Sequence, residues 1–336
     1  MSVKGVVGPM NGKIEHDTVA VPYSSRLDRR GFGRKKEDTL FLHPVEAVYL
    51  CLKGDLHIEK EGETLGTPEI FSWAEELNPD FPSYYFAYED LRDRGNKIKL
   101  EGKFLKGRKT YLPISERRKI TIPEIFQLQS KVQNLVLAVV DEESEVTYYQ
   151  AHEWDIEGNQ KDDIEKINGH LISDRVITDN RFIFDRLFYG NEKNELISLS
   201  LIESLYLAEK GKMDVYRSGE NVDYSEIRKQ GGLVEENFNK RYHVYKDLKE
   251  RRLSVKTGFK FGSDFRVYDQ IKSVKDLPHS KYLVSVIDDV EMPLYVIARA
   301  IRLAQNVRKR MVFAFYSNEE SSQEEIKYLA IKWVKV

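Results

Sequence analysis

The sequence is poor in the features that mark secreted, zinc-bound or membrane proteins. It has one cysteine, Cys51, among 336 residues, which cannot form an internal disulfide and excludes a zinc site built from several cysteines. No apolar run approaches the roughly 20 residues of a membrane helix, and the first residues, MSVKGVVGPMNGK, lack an apolar signal core. The net charge of −2 excludes a uniformly basic nucleic-acid coat, though not a local basic patch. We therefore expect a cytoplasmic enzyme or binding protein, with Cys51 a small buried side chain in a helix.

What the sequence does contain is an internal repeat at an offset of 157 residues. VEAVYLCLKGDL (45–56) matches IESLYLAEKGKM (202–213), and YEDLRDR (88–94) matches YKDLKER (245–251). Aligned without gaps, residues 33–104 and 190–261 are identical at 21 of 72 positions. A match of this length predicts two tandem units, about 1–157 and 158–336. The polar stretch 155–169 is predicted to be the linker.

Apolar periodicity predicts the architecture of each unit. Helical spacing indicates helices that begin near 201 and at 235–252, and a proline favours a third at 293–306. Short apolar or alternating runs predict strands at 255–261, 282–287, 311–316 and 326–334. We therefore expect two tandem repeats, each a small α+β N-terminal domain followed by an α/β C-terminal domain. The expected domains are 1–95, 96–157, 158–252 with the linker, and 253–336.

A local excess of basic residues marks the end of the second unit. No acidic residue occurs between Glu291 and Glu319, and five basic ones do: Arg299, Arg302, Arg308, Lys309 and Arg310. A basic helix followed by a basic strand is typical of a surface that faces phosphates. A solvated helix face that pairs with acids elsewhere in the fold would give the same pattern, so charge alone leaves both interpretations open.

Three motifs in this region occur in order: FKFGSDFRVY (259–268), HSKYLV (279–284) and NVRKRMVFAF (306–315). They resemble the archaeal tRNA-splicing endonuclease family, in the form in which one chain carries two fused copies. The resemblance covers nearly all of both units and implies nuclease-like C-terminal domains. It also implies that Tyr268, His279 and Lys309 are catalytic, because they occupy the family's motif positions.

The resemblance implies a metal-free cleavage of precursor tRNA that needs no cofactor. In that chemistry Tyr268 is the general base toward the 2′-OH, His279 the general acid and Lys309 the stabiliser of phosphorane charge. A phenol has a pKa near 10, so Tyr268 can act as a base only if a cation lowers its pKa, and it can instead orient the 2′-OH. The implied products are a 2′,3′-cyclic phosphate and a 5′-OH. The implied substrate is a bulge–helix–bulge, cut at both intron boundaries.

The first unit departs from the family pattern. It has no tyrosine-bearing segment, Arg108 takes the position of His279, and Gln133 or Asn134 replaces Lys309. We therefore expect the first unit to be structural. Two cuts then require two chains, so the resemblance implies a homodimer.

The resemblance also implies how the dimer and the RNA are held. The acidic loop DEESE, with Asp141, Glu142, Glu143 and Glu145, is expected to dock into a basic pocket of the opposite chain, although a solvated hairpin tip has the same composition. Strands at about 146–153 and 326–334 are expected to pair the two units. Arg302 is expected to sandwich a bulged base with Trp333 or its neighbour Lys332, and the other RNA-binding candidates are Arg299 and Arg308. A surface arginine and a core tryptophan remain alternative interpretations.

Two other functions are compatible with parts of the sequence. Glu325 and Lys327 fit the ExK element of a metal-dependent PD-(D/E)xK nuclease, with the carboxylates Asp288, Asp289 and Glu291 upstream. No PD dipeptide precedes them and the spacing is long, which disfavours this class. A non-catalytic RNA-binding scaffold is the second alternative, and the intact trio of the second unit argues against it.

Overall fold

The computed structural model describes residues 8–317 and 325–336. The predicted polar turn near 317–325 therefore lies almost entirely outside the described residues. The described chain forms four consecutive blocks, of which the first and third are alike. The first block contains β1 (Met10–Glu15), β2 (Thr18–Pro22), α1 (Ser25–Arg29), β3 (Arg34–Lys36), β4 (Thr39–Leu42), α2 (Pro44–Leu52), β5 (Leu56–Lys60), β6 (Glu63–Thr64), α3 (Thr67–Leu77) and α4 (Phe81–Asp93).

The second block supplies most of one half of a large sheet. It contains β7 (Lys99–Glu101), β8 (Phe104–Lys106), β9 (Thr110–Ser115), β10 (Lys119–Ile120), α5 (Ile122–Lys131), β11 (Leu135–Val140) and β12 (Val146–Glu153).

The third block repeats the first. It contains β13 (Ile167–Ile172), β14 (Arg175–Thr178), α6 (Arg181–Asp185), β15 (Asn191–Lys193), β16 (Leu196–Ser200), α7 (Leu201–Glu209), β17 (Met213–Arg217), β18 (Glu220–Val222), α8 (Tyr224–Val234) and α9 (Phe238–Glu250). The helices α2, α3 and α4 recur as α7, α8 and α9 at the same offset of 157 residues that the sequence shows.

The fourth block completes the large sheet. It contains β19 (Ser254–Thr257), β20 (Phe265–Tyr268), β21 (Tyr282–Val286), β22 (Met292–Pro293), α10 (Leu294–Asn306), β23 (Arg310–Ser317) and β24 (Glu325–Trp333). Short 3-10 turns lie at Phe259–Phe261 and Val274–Asp276.

The first and third blocks each form a six-stranded sheet with the same connectivity. The strand orders are β3-β4-β2-β1-β5-β6 and β15-β16-β14-β13-β17-β18. The main helix behind each sheet, α2 or α7, begins with a capping box, in which the residue before the helix and a glutamate three residues later bond each other's backbone N–H groups. The same local signals at the same offset therefore give the same domain twice.

The second and fourth blocks combine into one ten-stranded sheet with the order β19-β20-β21-β23-β24-β12-β11-β9-β8-β7. The two halves meet where β12 pairs antiparallel with β24, from Tyr149 opposite Trp333 to Glu153 opposite Leu329. The central pair is Ala151 with Ile331, so the halves are related by a local pseudo-two-fold axis. The predicted pairing of the two C-terminal strands is thus confirmed.

Each N-terminal block is bonded to the large sheet by the same tyrosine–aspartate contact. Tyr148 on β12 donates its hydroxyl hydrogen to Asp90 on α4 at 2.5 Å, and Tyr328 on β24 donates to Asp247 on α9 at 2.6 Å. An arginine four residues after each aspartate pairs with the same carboxylate. The acceptor is charged, so these are strong hydrogen bonds that fix each block against its half of the sheet.

Two sequence predictions need correction in detail. The strand predicted at 255–261 ends at Thr257, because the chain turns tightly at Gly258, where an added Cβ would lie 2.8 Å from the Ser263 carbonyl oxygen. The predicted linker 155–169 is extended only to 166, after which β13 begins, and it packs against the fold. Its Gly158 N–H donates to the Arg251 carbonyl at 2.8 Å, so it is a bound segment and not a solvated tether.

Cys51 lies near the end of α2, as expected for a helical position, and it is half-buried. Burial raises the pKa of its thiol to about 12, so the sulfur is protonated at neutral pH. None of the helices in the described part of the chain has the length and apolar character that crossing a lipid bilayer requires.

One buried carboxylate differs between the two N-terminal blocks. Glu203 in the third block accepts the Lys256 ammonium at 2.8 Å, and both side chains are 8% exposed. Burial favours a higher pKa for Glu203, but the charge and hydrogen bonds of Lys256 outweigh it and hold the pKa below its ordinary value. Its counterpart Glu46 accepts only backbone N–H groups, and burial raises its pKa to about 7. The counterpart of Lys256 is Lys99, which is exposed.

This difference gives a stability prediction. Lys256→Met should lower the free energy of unfolding by about 3–5 kcal/mol at pH 8, because it leaves Glu203 as an uncompensated buried charge. The loss should be smaller at pH 5, because Glu203 without its lysine takes a raised pKa, as Glu46 does, and the folded state then binds a proton. Denaturant unfolding at both pH values measures the change.

Lys99→Met is the matched control. The side chain occupies the same repeat position but is exposed, so its free energy of unfolding should change by no more than about 0.5 kcal/mol. Equal effects of the two substitutions would contradict the assignment of Lys256 as the buried counter-charge.

Candidate active site

One end of the ten-stranded sheet carries an aligned row of residues from five neighbouring strands. Val267 of β20 lies opposite Tyr282 of β21, which in turn lies opposite Arg310 of β23. Met311 of β23 lies opposite Ile331 of β24, and Trp333 of β24 lies opposite Tyr149 of β12. Extending these registers by one or two residues aligns the following positions: Tyr268, Lys281, Lys309, Trp333 and Tyr149. Neighbouring strands lie about 4.8 Å apart, so the backbones at Tyr268 and Lys309 are about 10 Å apart.

Lys309 lies immediately before β23 and is held from inside the protein. Its ammonium donates to the Ser280 carbonyl at 3.0 Å and lies 5.3 Å from the centroid of the Phe261 ring. The residue is 9% exposed, and within the described ranges it has no acidic partner. Burial, and after it the charge of Arg266, holds the pKa of Lys309 below its ordinary value.

His279 is exposed and directly precedes Ser280. The bond from Lys309 to the Ser280 carbonyl therefore fixes the backbone next to His279 beside the lysine. Of the three residues that the resemblance implies to be catalytic, the structure thus places His279 and Lys309 on neighbouring segments at one end of the sheet.

Tyr268 is the last residue of β20, at the same end of the sheet, and it is 5% exposed. Its ring packs edge-on against Phe188, with centroids 5.9 Å apart, and the two rings share a small cluster with Ile271. Phe188 follows α6 in the third block and has a positive φ of 61°. Nothing in the motif around Tyr268 points to a residue 80 positions earlier, so the sequence does not predict this contact.

The loop between Tyr268 and His279 is held by the segment predicted to be a linker. The Asn159 N–H donates to the Asp269 carbonyl at 3.0 Å, and the Ile271 N–H donates to the Gln160 side chain at 2.9 Å. Asp269 also pairs with Lys281. The chain between the repeats therefore shapes the approach to the site.

Helix α10 carries the predicted RNA-binding arginines. Its inner face buries Leu294, Ile297 and Ile301 against the sheet, which leaves Arg299 and Arg302 exposed. Arg302 donates from Nε to the Tyr149 hydroxyl at 3.0 Å. Tyr149 belongs to the first unit, and this contribution was missed by the sequence analysis.

Trp333 is 42% exposed and is not a core residue. It lies directly opposite Tyr149 in the β12–β24 pair, so both side chains emerge on one face of the sheet. Tyr149 also accepts the hydrogen bond of Arg302, so Arg302 and Trp333 both lie next to Tyr149. Lys332 points to the other face by the alternation of the strand, and Arg308 is exposed in the turn after α10.

The acidic loop forms the turn between β11 and β12. Asp141 holds it, since its Oδ1 accepts the N–H groups of Glu143 at 3.0 Å and Glu145 at 2.9 Å. Glu142, Glu143 and Glu145 are exposed, and Glu142 pairs with Arg117 of the same chain. Asp141 also faces the groove that Arg299 and Arg302 line, so part of the basic helix faces acids of its own chain.

The first unit carries other residue types at the positions that correspond to His279 and Lys309. Arg108 is exposed between β8 and β9, and Gln133 and Asn134 lie between α5 and β11, as Lys309 lies between α10 and β23. The carboxylates of the alternative metal-nuclease hypothesis lie at the opposite end of the strands. There Glu325 pairs with Lys327, and Asp288 pairs with Lys240. No group of three or more potential metal ligands occurs within 8–317 and 325–336.

Comparison with known proteins decides the family. The model of the tRNA intron endonuclease catalytic C-terminal domain matches residues 238–328, and the model of the N-terminal domain of that family matches both 10–71 and 167–228. The chain belongs to the tRNA intron endonuclease family. The two N-terminal matches are offset by the 157 residues of the internal repeat.

Relatives named tRNA-splicing endonuclease match along most of the chain. The protein of Methanococcoides burtonii is 36% identical over 86% of this chain and 90% of its own length. That of Methanosarcina mazei is 36% identical over 91% of this chain and 92% of its own. That of Haloarcula marismortui is 30% identical over 95% of this chain and 98% of its own length. The tRNA intron endonuclease family therefore accounts for both halves of the chain, and the resemblance read from the motifs is confirmed.

Proposed function

We propose that this chain is a tRNA-splicing endonuclease, an RNA-cleaving lyase that cuts precursor tRNA at both intron boundaries. One observation carries the proposal within the family's catalytic domain: the Lys309 ammonium is bonded to Ser280, next to His279, at the strand end that also carries Tyr268. A cation that has no acidic partner among the described residues, beside an exposed histidine, suits the cleavage of a phosphodiester.

The chemistry follows from what each group can do. RNA supplies its own nucleophile, the 2′-OH next to the scissile phosphate. Tyr268 takes or orients its proton, Lys309 stabilises the charge on the phosphorane, and His279 protonates the leaving 5′-oxygen. The products are a 2′,3′-cyclic phosphate and a 5′-OH, and these groups need no metal or other cofactor.

The RNA feature bound is a bulge–helix–bulge. A-form RNA hides its base edges in a deep and narrow major groove, so a protein that selects one site needs splayed bases. Arg302, supported by Tyr149, and the exposed Trp333 offer a guanidinium plane and an aromatic face for one such base. Arg299 and Arg308 add positive charge for the backbone around it.

The organisation of the chain rests on the repeat. Two tandem units arise from one α+β plus α/β pattern, with domains 1–95, 96–157, 158–252 and 253–336, and only the second unit is catalytic. Two cuts then need two copies of the chain, joined as a homodimer through the acidic loop of each first unit. The enzyme works in the cytoplasm, on precursor tRNA.

His279→Ala tests the catalytic assignment. The cleavage rate of a bulge–helix–bulge RNA in EDTA should fall by about 10²–10⁴, the usual contribution of a general acid, with RNA affinity nearly unchanged. His57→Ala is a matched control, because His57 is an exposed histidine on β5, far from the site. Full activity of the His279 variant, or products that carry 5′-phosphates, would disprove the assignment.

Charge reversal of the acidic loop tests the homodimer. Glu142→Lys, Glu143→Lys and Glu145→Lys together should yield monomers in sedimentation and abolish cleavage, because like charges then face the basic pocket. Asp141 stays unchanged, since it holds the turn. Reversal of Glu61 and Glu63, exposed at the β5–β6 hairpin, should leave the dimer intact. A stable and active dimer of the triple variant would refute the docking role.

Arg302→Ala and Trp333→Ala test the capture of a bulged base. Stacking on one base is worth about 1–3 kcal/mol, so either variant should weaken binding of bulged RNA by roughly 5- to 150-fold, and binding of plain duplex RNA much less. Dimerisation should persist. Arg175→Ala, which removes an exposed arginine paired with Asp174, is the control. Unaltered cleavage in both variants would exclude the sandwich.

A further inference from the structure

Arg266 on β20 is a second cation at the catalytic end of the sheet. It precedes Tyr268 by two residues, so both side chains lie on one face of the sheet. The registers place it opposite Leu283, which lies opposite Met311, two residues after Lys309. Arg266 and Lys309 therefore share that face, and Arg266 contributes to the lowered pKa of Lys309.

The guanidinium of Arg266 has no counter-ion among the residues that the structure describes. It forms no ion pair within the described ranges, and its buried Nε has no hydrogen-bond partner. Its only described ring contact is with Phe188, 6.0 Å from the ring centroid, on the same ring that Tyr268 packs against. An arginine held by packing alone, beside a lysine that also lacks an acid, leaves a local excess of positive charge.

Three acids of this region are paired with other cations. Glu203 is paired with Lys256, Asp264 with Arg241, and Asp269 with Lys281. One buried carboxylate oxygen of Asp269 has no hydrogen-bond partner, but in the described part of the chain none of these acids pairs with Arg266. An anion from outside is therefore the partner that the charge distribution favours.

The first unit provides an internal comparison. Lys99 lies opposite Lys106 in the same way that Lys256 lies opposite Arg266, so Lys106 occupies the Arg266 position. Lys106 is paired with Glu101. The counterpart of Glu101 is Gly258, where no side chain fits because a Cβ would lie 2.8 Å from the Ser263 carbonyl oxygen. The non-catalytic half neutralises this cation, whereas the catalytic half leaves it free.

We propose that Arg266 contacts the scissile phosphate together with Lys309, as a second charge-stabilising group of the site. The inference rests on the proposed function and adds a residue to it. A guanidinium presents a planar fork of donors that matches two phosphoryl oxygens, whereas Lys309 supplies a point charge. The two cations act on different oxygens of the phosphorane, and the Phe188 ring fixes the arginine for that contact.

The test compares two substitutions at one position. Arg266→Met keeps an unbranched apolar side chain at this position but removes the charge, and kcat for bulge–helix–bulge cleavage should fall about 100-fold. Arg266→Lys restores a charge, so its kcat should be about tenfold higher than that of Arg266→Met. Lys106→Met, at the matched position of the first unit, should leave kcat unchanged. Without the arginine the pKa of Lys309 rises, so the alkaline limb of the kcat profile should move to higher pH.

A second measurement does not depend on cleavage. Inorganic phosphate should raise the thermal midpoint of the wild-type protein and of Lys106→Met more than that of Arg266→Met. Wild-type kcat in Arg266→Met, equal losses in the Met and Lys variants, or equal phosphate stabilisation of wild type and Arg266→Met would each overturn the inference. A wild-type protein that cuts no bulged RNA but shows the phosphate difference would refute the proposed function while supporting the anion site.

Discussion

The antiparallel pairing of β12 with β24 is the interaction on which the rest of the structure depends. Each half of the large sheet would otherwise end in an open edge, and pairing them buries both edges in one ladder. The register, centred on Ala151 and Ile331, also decides which residues meet across the junction. Because Tyr149 falls opposite Trp333, a residue of the first unit lies beneath Arg302 of the second. A shift of one residue would turn Tyr149 to the other face.

The two N-terminal blocks share one strand order but differ in the charges at matched positions. Glu46 and Glu203 occupy one repeat position behind the same capping box, yet only Glu203 has a lysine. In the second half, Lys256 crosses from the large sheet to the N-terminal block, so its ion pair joins the two domains around Phe188, the ring that supports Tyr268. In the first half, the lysine at this position, Lys99, is exposed.

The sequence predicted the elements and the motifs well because these depend on local signals. The α10 bounds followed from a proline and apolar periodicity, and the junction strands followed from alternation. The residues that the sequence missed act through long-range contacts. Phe188 contacts Tyr268 across 80 residues of sequence. Gln160 bonds Ile271 across 111 residues, and Tyr149 bonds Arg302 across 153. The polar composition of 155–169 predicted a linker. Composition does not reveal that 155–166 bonds to the fold through backbone groups and through the side chains of Asp155, Gln160 and Asp162.

The site itself shows how a fold can keep a cation poorly neutralised without losing stability. Lys309 loses solvation on burial, which costs free energy, but its ammonium keeps a hydrogen bond to a neutral carbonyl and an aromatic contact. A carboxylate in place of that carbonyl would stabilise the lysine more and would also cancel the charge that a phosphorane needs. The same reasoning applies to Arg266, which rests on a ring where its counterpart in the first unit has an acid. In the proposed mechanism, neutral partners hold these cations in place and leave their charge for the substrate.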